Sequence, residues 1–159
     1  MLGVMLDELE ASGELDNTVI VLSGDHGIPG IPRGKTNCYD LATQVPLLVR
    51  WPKGIAAQGE LRDNFVHVVD LFPTLLEATG VERPTVYKGQ AQKPIEGQSV
   101  LPTFSKPESP TRSEQYFELG GHRAYMENNW RAVARHTRGK PFEDDVWELQ
   151  GVKRFITSA

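Results

Sequence analysis

The sequence predicts an α/β fold in its first half and a small antiparallel β-sheet subdomain near its end. A helical apolar pattern leads directly into a short β-branched strand close to the amino terminus, which is typical of an α/β unit. After residue 112 the pattern changes to short alternating or aromatic runs separated by turn residues. The composition, with 39% hydrophobic and 24% charged residues, is ordinary for a globular domain.

Residues 1–12 are expected to form an amphipathic helix, because apolar side chains recur along them at the spacing of one helical face. Gly13 follows at the position where a left-handed residue ends such a helix. The run from Thr18 to Leu22 is unbroken and β-branched, which predicts a strand covered on both faces. The apolar face of the helix comprises Leu2, Met5, Leu6 and Leu9.

The later elements follow from proline boundaries and from periodicity. Residues 46–52 are predicted to be a second strand, and residues 66–79 a helix that ends at Gly80 with Pro73 near its first turn. Short antiparallel strands are predicted at 115–118, 123–126 and 130–134. The predicted organisation is an α/β part at 1–80, an extended connection at 81–112, the antiparallel subdomain at 113–149 and a non-native tail at 150–159.

Charge and composition argue against several classes of protein. The net charge of −4 arises from 21 acidic and 17 basic residues spread along the chain, so no basic face favours nucleic acid or an anionic membrane. The single cysteine, Cys38, rules out an internal disulfide framework and a multi-cysteine zinc site. No apolar run reaches the length of a bilayer span, and we expect neither nucleic acid nor membrane as a partner. Localisation stays open, because the signal peptide of an exported parent protein would lie upstream.

The candidate site begins where the first predicted strand ends. Asp25, His26 and Gly27 follow that strand, and ligands in open α/β sheets bind outside the carboxyl ends of strands. A carboxylate suits a hard cation such as Ca²⁺ or Mg²⁺, whereas an imidazole suits transition metals better. On residue types alone, the alternative is a turn in which the aspartate only hydrogen-bonds its own backbone.

Lys35 lies ten residues beyond Asp25, in the polar loop at 28–39. Its compact positive charge suits an anionic oxygen, and the neighbouring glycine and polar residues would hold it near the same pocket. An isolated lysine is usually a solvated surface residue, so the case for Lys35 depends on its combination with other motifs.

That combination resembles the sulfatases of the alkaline-phosphatase-like superfamily. The strand end at Asp25 is followed by Gly-Lys-x-x-x-Tyr-Asp at 34–40, Val-Pro-Leu-Leu-Val-Arg-Trp-Pro at 45–52 and Val-His-Val-Val-Asp-Leu-Phe-Pro at 66–73. Lys-Pro-Ile-Glu-Gly-Gln-Ser at 93–99 and Gln-Tyr-Phe-Glu at 115–118 are similar to arylsulfatase segments. Asp-His-Gly-Ile-Pro at 25–29 is similar to heparan N-sulfatase relatives, so the resemblance leaves the subfamily open.

The resemblance implies both a fold and a site. The first half would be part of an alkaline-phosphatase-like α/β/α sheet, with Asp25 as a ligand of the active-site Ca²⁺. His26 occupies a position where the family has Asn or, in some members, His, and would be the second metal ligand. Lys35 matches the family lysine that contacts the sulfate oxygens and stabilises charge on the transferring sulfuryl group. The implied partner is a sulfated small molecule or a sulfated glycan, whose sulfate ester or sulfamate is hydrolysed.

The nucleophile of this family is a formylglycine made from the first residue of Cys/Ser-x-Pro/Ala-x-Arg. Cys38 begins Cys-Tyr-Asp-Leu-Ala, which lacks the required residues at both offsets, so we interpret it as a buried small side chain. The paired amino-terminal aspartates of the family site and its partner His, Lys and Arg are not matched either. We therefore expect a carboxy-terminal sulfatase fragment that is inactive alone. The alternatives are a catalytically silent binding module and a phosphatase or phosphonate hydrolase of the same superfamily.

Two further features have simpler explanations. His67 and Asp70 form an i, i+3 pair that could act in acid–base catalysis, and a helix-capping role for Asp70 is the alternative. The resemblance ends at Leu149, after which the sequence departs from the family pattern. We expect a truncated or frame-shifted reading frame to account for that departure.

Overall fold

The computed structural model describes residues 1–57, 59–128 and 130–151. It divides into two units, each built from two separate stretches of chain: residues 1–20 with 49–112, and residues 21–48 with those from 113 onward. Within the described ranges, no helix combines the length and the apolar character that a bilayer span requires.

The first unit is mainly helical. Helix α1 spans Leu2–Ala11, and Gly13 adopts a positive φ of 76° just beyond it, as predicted for a left-handed helix end. A 3₁₀ turn at Val68–Asp70 leads into helix α3 at Leu71–Thr79, so a tighter turn replaces the first turn of the predicted helix. The connection at 81–112 contains short elements that the sequence analysis did not predict: strands β3 at Val86–Tyr87 and β4 at Gln90–Ala91, and helix α4 at Pro102–Ser105.

Strands β1 (Ile20–Ser23) and β2 (Leu47–Arg50) pair in a two-stranded sheet, close to where strands were predicted. The expectation that the first strand is covered on both faces is wrong, because Leu22 is 44% exposed. The β-branched pattern favours a buried strand, but no residue of β1 is fully buried by the described part of the chain. Further along the chain, helix α2 spans Asp40–Thr43, between the two strands in sequence.

Four antiparallel strands form the sheet of the second unit. Their order is β5-β6-β7-β8, so each strand pairs with its sequence neighbour. The first three were predicted, whereas β8 was not. Its last two residues, Gln150 and Gly151, fall in the predicted tail and stay in register with β7; residues 152–159 of that tail lie outside the described residues. The strands are β5 (Glu114–Leu119), β6 (His122–Glu127), β7 (Trp130–Ala134) and β8 (Trp147–Gly151).

The core of the second unit joins this sheet to the loop before α2. Ala124 and Val133 of the sheet are fully buried, and Cys38 and Tyr39 of the loop are 2% exposed and pack against them. The prediction that Cys38 is a buried small side chain is confirmed, and burial raises the pKa of its thiol.

Gly27 brings the segment after β1 into direct contact with α2. Its buried N–H donates to the carbonyl of Ala42 over 2.9 Å. A Cβ atom at residue 27 would lie 1.7 Å from the carbonyl oxygen of Leu41, so only glycine permits this approach. The end of β1 is therefore fixed against the helix that follows the polar loop.

Asp70 holds the start of α3 to the segment at 96–112. Its side chain is fully buried, and it accepts hydrogen bonds from Arg112 Nη2 (2.8 Å), from the N–H of Gln98 (2.8 Å) and from the N–H of His67 (2.9 Å). The capping interpretation of Asp70 is confirmed, because His67 and Asp70 form a reciprocal capping box. Burial would raise the pKa of Asp70, but the three hydrogen bonds outweigh burial and lower it.

Asp70→Asn should lower the free energy of unfolding by about 3 kcal/mol at pH 7, because it removes the charge that neutralises Arg112 in a buried setting. Since the folded-state pKa of Asp70 is lowered, its stabilisation is complete above about pH 4 and is lost as the pH falls through that lowered value. Urea unfolding measured across this range should show the gap between variant and unaltered chain closing in acid. Asp16→Asn is the control, because Asp16 forms an exposed pair with Arg50 that should contribute less than about 1 kcal/mol.

Gly27→Ala should destabilise the chain by about 1–3 kcal/mol, because the new methyl group overlaps the carbonyl of Leu41 and forces α2 to shift. Gly3→Ala is the matched control: Gly3 lies in α1 with open space around it, so alanine there should stabilise by up to about 1 kcal/mol. Urea unfolding followed by circular dichroism measures both changes. Equal effects of the two substitutions would show that the contact with α2 is unimportant.

Candidate metal and anion site

The three predicted site residues all lie in the second unit, on the segment between β1 and α2. The side chains of Asp25 and His26 contact each other. Within the described part of the chain, the amine of Lys35 makes no hydrogen bond or ion pair, so the structure does not connect it to the other two side chains.

Asp25 and His26 meet through specific atoms. His26 Nε2 lies 3.2 Å from Asp25 Oδ2, and His26 Nδ1 lies 2.8 Å from the carbonyl oxygen of Gly27. Because a carbonyl oxygen only accepts, Nδ1 must carry a hydrogen and donate it. The other nitrogen then faces a carboxylate oxygen, and this arrangement is attractive only when a second proton or a cation lies between them.

This pair can supply two ligands to a metal ion. A histidine that binds a metal usually donates its other ring N–H to a carbonyl or carboxylate, as His26 does to Gly27. The Asp25 side chain is 86% exposed, which leaves its second oxygen accessible. No group of three or more His, Cys, Asp or Glu side chains that could hold a metal occurs within the described ranges.

Lys35 sits in a tightly constrained loop. Its N–H donates to the carbonyl of Ile28 over 3.1 Å, and its side chain is exposed. Thr36, the next residue, has a φ of 79°, which is unusual for a β-branched residue. Strained backbone of this kind concentrates at functional sites, where the surrounding structure holds it.

Arg33 joins this loop to the antiparallel sheet of the second unit. It forms an ion pair with Glu148 of β8 at 3.0 Å, and its guanidinium lies 4.9 Å from the ring centre of Tyr39. Burial and the neighbouring Glu148 raise the pKa of Tyr39. The loop that carries Lys35 is thus joined to β8 by an ion pair, and within the loop Arg33 also contacts the ring of Tyr39.

Sequence reasoning missed Arg131, which lies in β7 and contacts the residues around α2. The signal available was a charged residue inside an apolar, alternating strand, Trp130–Ala134. That pattern is uninformative by itself, because only the fold brings residue 131 near the loop at 38–43. His122 and His136 form hydrogen bonds within the second unit.

Comparison with known proteins identifies the family. A model of the Sulfatase family matches residues 1–81, about half of the chain, which includes Asp25, His26 and Lys35. The N-sulphoglucosamine sulphohydrolase of Homo sapiens is 31% identical over 86% of this chain and 27% of its own length. The N-acetylglucosamine-6-O-sulfatase of Bacteroides thetaiotaomicron is 38% identical over 59% of this chain and 17% of its own length.

The fold is shared as well. A solved structure of a protein in complex with its substrate, D-glucosamine-2-N,6-O-disulfate, superimposes with a TM-score of 0.70 at 25% identity, covering 94% of this chain and 30% of that one. The chain therefore spans less than a third of the length of these relatives. The motifs, the site segment and the superposition agree: this chain belongs to the sulfatase family and forms part of an alkaline-phosphatase-like α/β fold with a small antiparallel sheet.

Proposed function

We propose that this chain supplies the metal-binding and sulfate-binding edge of a sulfatase active site. The observation that carries the proposal is the approach of Asp25 Oδ2 and His26 Nε2 to 3.2 Å, with the other ring nitrogen of His26 engaged by a backbone carbonyl. These two atoms would become converging ligands when one cation binds both of them.

Ca²⁺ is the ion that the family resemblance implies, and Asp25 suits it as a hard oxygen donor. His26 is a less typical ligand for Ca²⁺, so the pair would also accept a divalent transition metal. When bound, the metal would neutralise negative charge on the sulfate and on the attacking group. The chain itself would contribute orientation, because Gly27 fixes the imidazole ring before any ion arrives.

Lys35 would contact the sulfate oxygens. The proposal is supported by an ammonium without a partner in the described part of the chain, on a loop held by Arg33 and by the backbone of Ile28. In the reaction it would stabilise the charge that develops as the sulfur–oxygen or sulfur–nitrogen bond breaks.

The reaction would be hydrolysis of a sulfate ester or a sulfamate through a formylglycine nucleophile. No Cys or Ser in this sequence begins the Cys/Ser-x-Pro/Ala-x-Arg pattern that is modified to formylglycine, so we infer that the nucleophile comes from outside these 159 residues. The relatives support a sulfated amino sugar as the substrate class, since two are named for sulfated glucosamines and the solved neighbour holds a disulfated glucosamine.

Titration of the chain with Ca²⁺ and with sulfate tests this proposal. Asp25→Asn should weaken Ca²⁺ binding by about tenfold or more, because it removes the charged ligand. Lys35→Met should weaken sulfate binding by a similar factor and leave Ca²⁺ binding in sulfate-free buffer unchanged. Isothermal titration calorimetry measures both affinities.

Two exposed residues of the first unit provide matched controls. Asp7→Asn and Lys106→Met remove the same charges as the test variants, far from the proposed site in sequence, and should leave both affinities unchanged. If the control variants weakened binding as much as the test variants, the binding would be a general effect of charge, and the proposal would be contradicted. Binding of phosphate in preference to sulfate would instead favour the phosphatase alternative.

A further inference from the structure

We propose that Arg131 is a positioning residue for the candidate site and that it acts through α2 on Asp25 and His26. The inference rests on the proposed function, because it concerns how the same metal-binding pair is held in place. It adds a residue of the antiparallel sheet to a site whose other members all lie between β1 and α2.

The guanidinium of Arg131 spans α2 from before its first residue to its last. Arg131 Nη1 donates to the carbonyl of Cys38 (2.9 Å) and to Thr43 Oγ1 (2.8 Å), and Nε lies 2.8 Å from Asp40 Oδ1. Only 6% of the Arg131 residue is exposed. One side chain thus fixes the position and the rotation of a helix only four residues long, which has little stability of its own.

The residues on either side of the proposed metal-binding pair, Asp25 and His26, hydrogen-bond to the backbone in and just after this helix. The N–H of Gly27 donates to Ala42 in α2 (2.9 Å), and the N–H of Gly24 donates to Pro46, just beyond α2 (3.2 Å). Asp25 and His26 lie between these two hydrogen bonds. A displacement of α2 therefore changes the direction of both side chains.

The guanidinium of Arg131 and the loop before α2 also contact the other strands of the sheet. The guanidinium carbon of Arg131 lies 4.6 Å from the ring centre of Phe117, on β5, and Cys38 Sγ lies within hydrogen-bond distance (3.4 Å) of the carbonyl of His122. The buried loop residues before α2 are therefore joined to the sheet at two points.

A buried arginine is a costly way to join a helix to a sheet, since an apolar side chain of similar volume is often at least as stabilising. Burial lowers the pKa of Arg131, and the nearby Asp40 only partly opposes that effect. What the guanidinium provides beyond packing is direction: Nη1 donates to a carbonyl and to a hydroxyl, while Nε lies in an ion pair with a carboxylate. This directional demand fits a site that needs two ligands placed within a fraction of an ångström.

The test compares Arg131→Met with Arg123→Met in the full chain. Arg123 is the matched control, because it lies on the neighbouring strand, is ion-paired with the buried Asp145 at 2.8 Å and stacks on Phe142, yet its described contacts are with the 142–147 segment. Amide hydrogen exchange in the ligand-free chain reports on the Gly27 hydrogen bond directly. Calorimetric titration with Ca²⁺ reports on the metal-binding pair.

Arg131→Met should accelerate exchange of the Gly27 amide by about tenfold or more and weaken Ca²⁺ binding by a comparable factor. Arg131→Lys should recover part of both losses, because one ammonium cannot reach every acceptor. Arg123→Met should change neither the exchange rate of the Gly27 amide nor the Ca²⁺ affinity, although it should lower the thermal unfolding midpoint. If Gly27 exchanged equally in both methionine variants, or if exchange rose while Ca²⁺ affinity stayed constant, the positioning role would be overturned.

These measurements also separate this inference from the proposed function. If the unaltered chain bound no Ca²⁺, the proposed metal site would fail, and Arg131 would have no site to position. The exchange data would then still decide whether Arg131 holds the loop. If the unaltered chain bound Ca²⁺ and Arg131→Met bound it equally well, only the role of Arg131 would fail.

Discussion

The hydrogen bond from Gly27 to Ala42 is the contact on which the candidate site depends. It places the backbone after β1 so close to α2 that no side chain fits at residue 27. In the adjoining segment, one ring nitrogen of His26 faces the carbonyl of Gly27 and the other faces Asp25. The hydrogen bond of Gly27 thus holds the backbone segment that carries both proposed ligands.

In each unit an ion pair with one buried partner joins separate segments of the chain. In the first unit Asp70 and Arg112 tie the start of α3 to an irregular segment, and in the second Arg131 and Asp40 tie a one-turn helix to a sheet. Irregular chain has few hydrogen bonds of its own to fix its path. A charged group with several donors or acceptors supplies several hydrogen bonds at one position. A loop without regular structure can in this way hold its side chains in defined positions.

Periodicity predicted the elements whose neighbours are local, such as α1 with its end at Gly13 and the three hairpin-connected strands β5 to β7. Periodicity could not predict β8, because residues 147–151 form a strand only by pairing with β7, which lies before a long loop. The candidate residues Asp25, His26 and Lys35 were named through family resemblance, which carries no distances. The distance between the side chains of the first two, and the contacts of Arg131 with the residues around α2, are known only from the structure.

The most direct test of this account is a crystal structure of the chain grown with Ca²⁺ and sulfate. We predict one metal ion bound by an oxygen of Asp25 and by Nε2 of His26, with His26 Nδ1 still directed at the carbonyl of Gly27 and Lys35 Nζ in contact with a sulfate oxygen. Gly27 and α2 should not move. A metal ion bound elsewhere, or a His26 ring turned away from Asp25 in the presence of the ion, would contradict the claim that the backbone contact prepares a metal site.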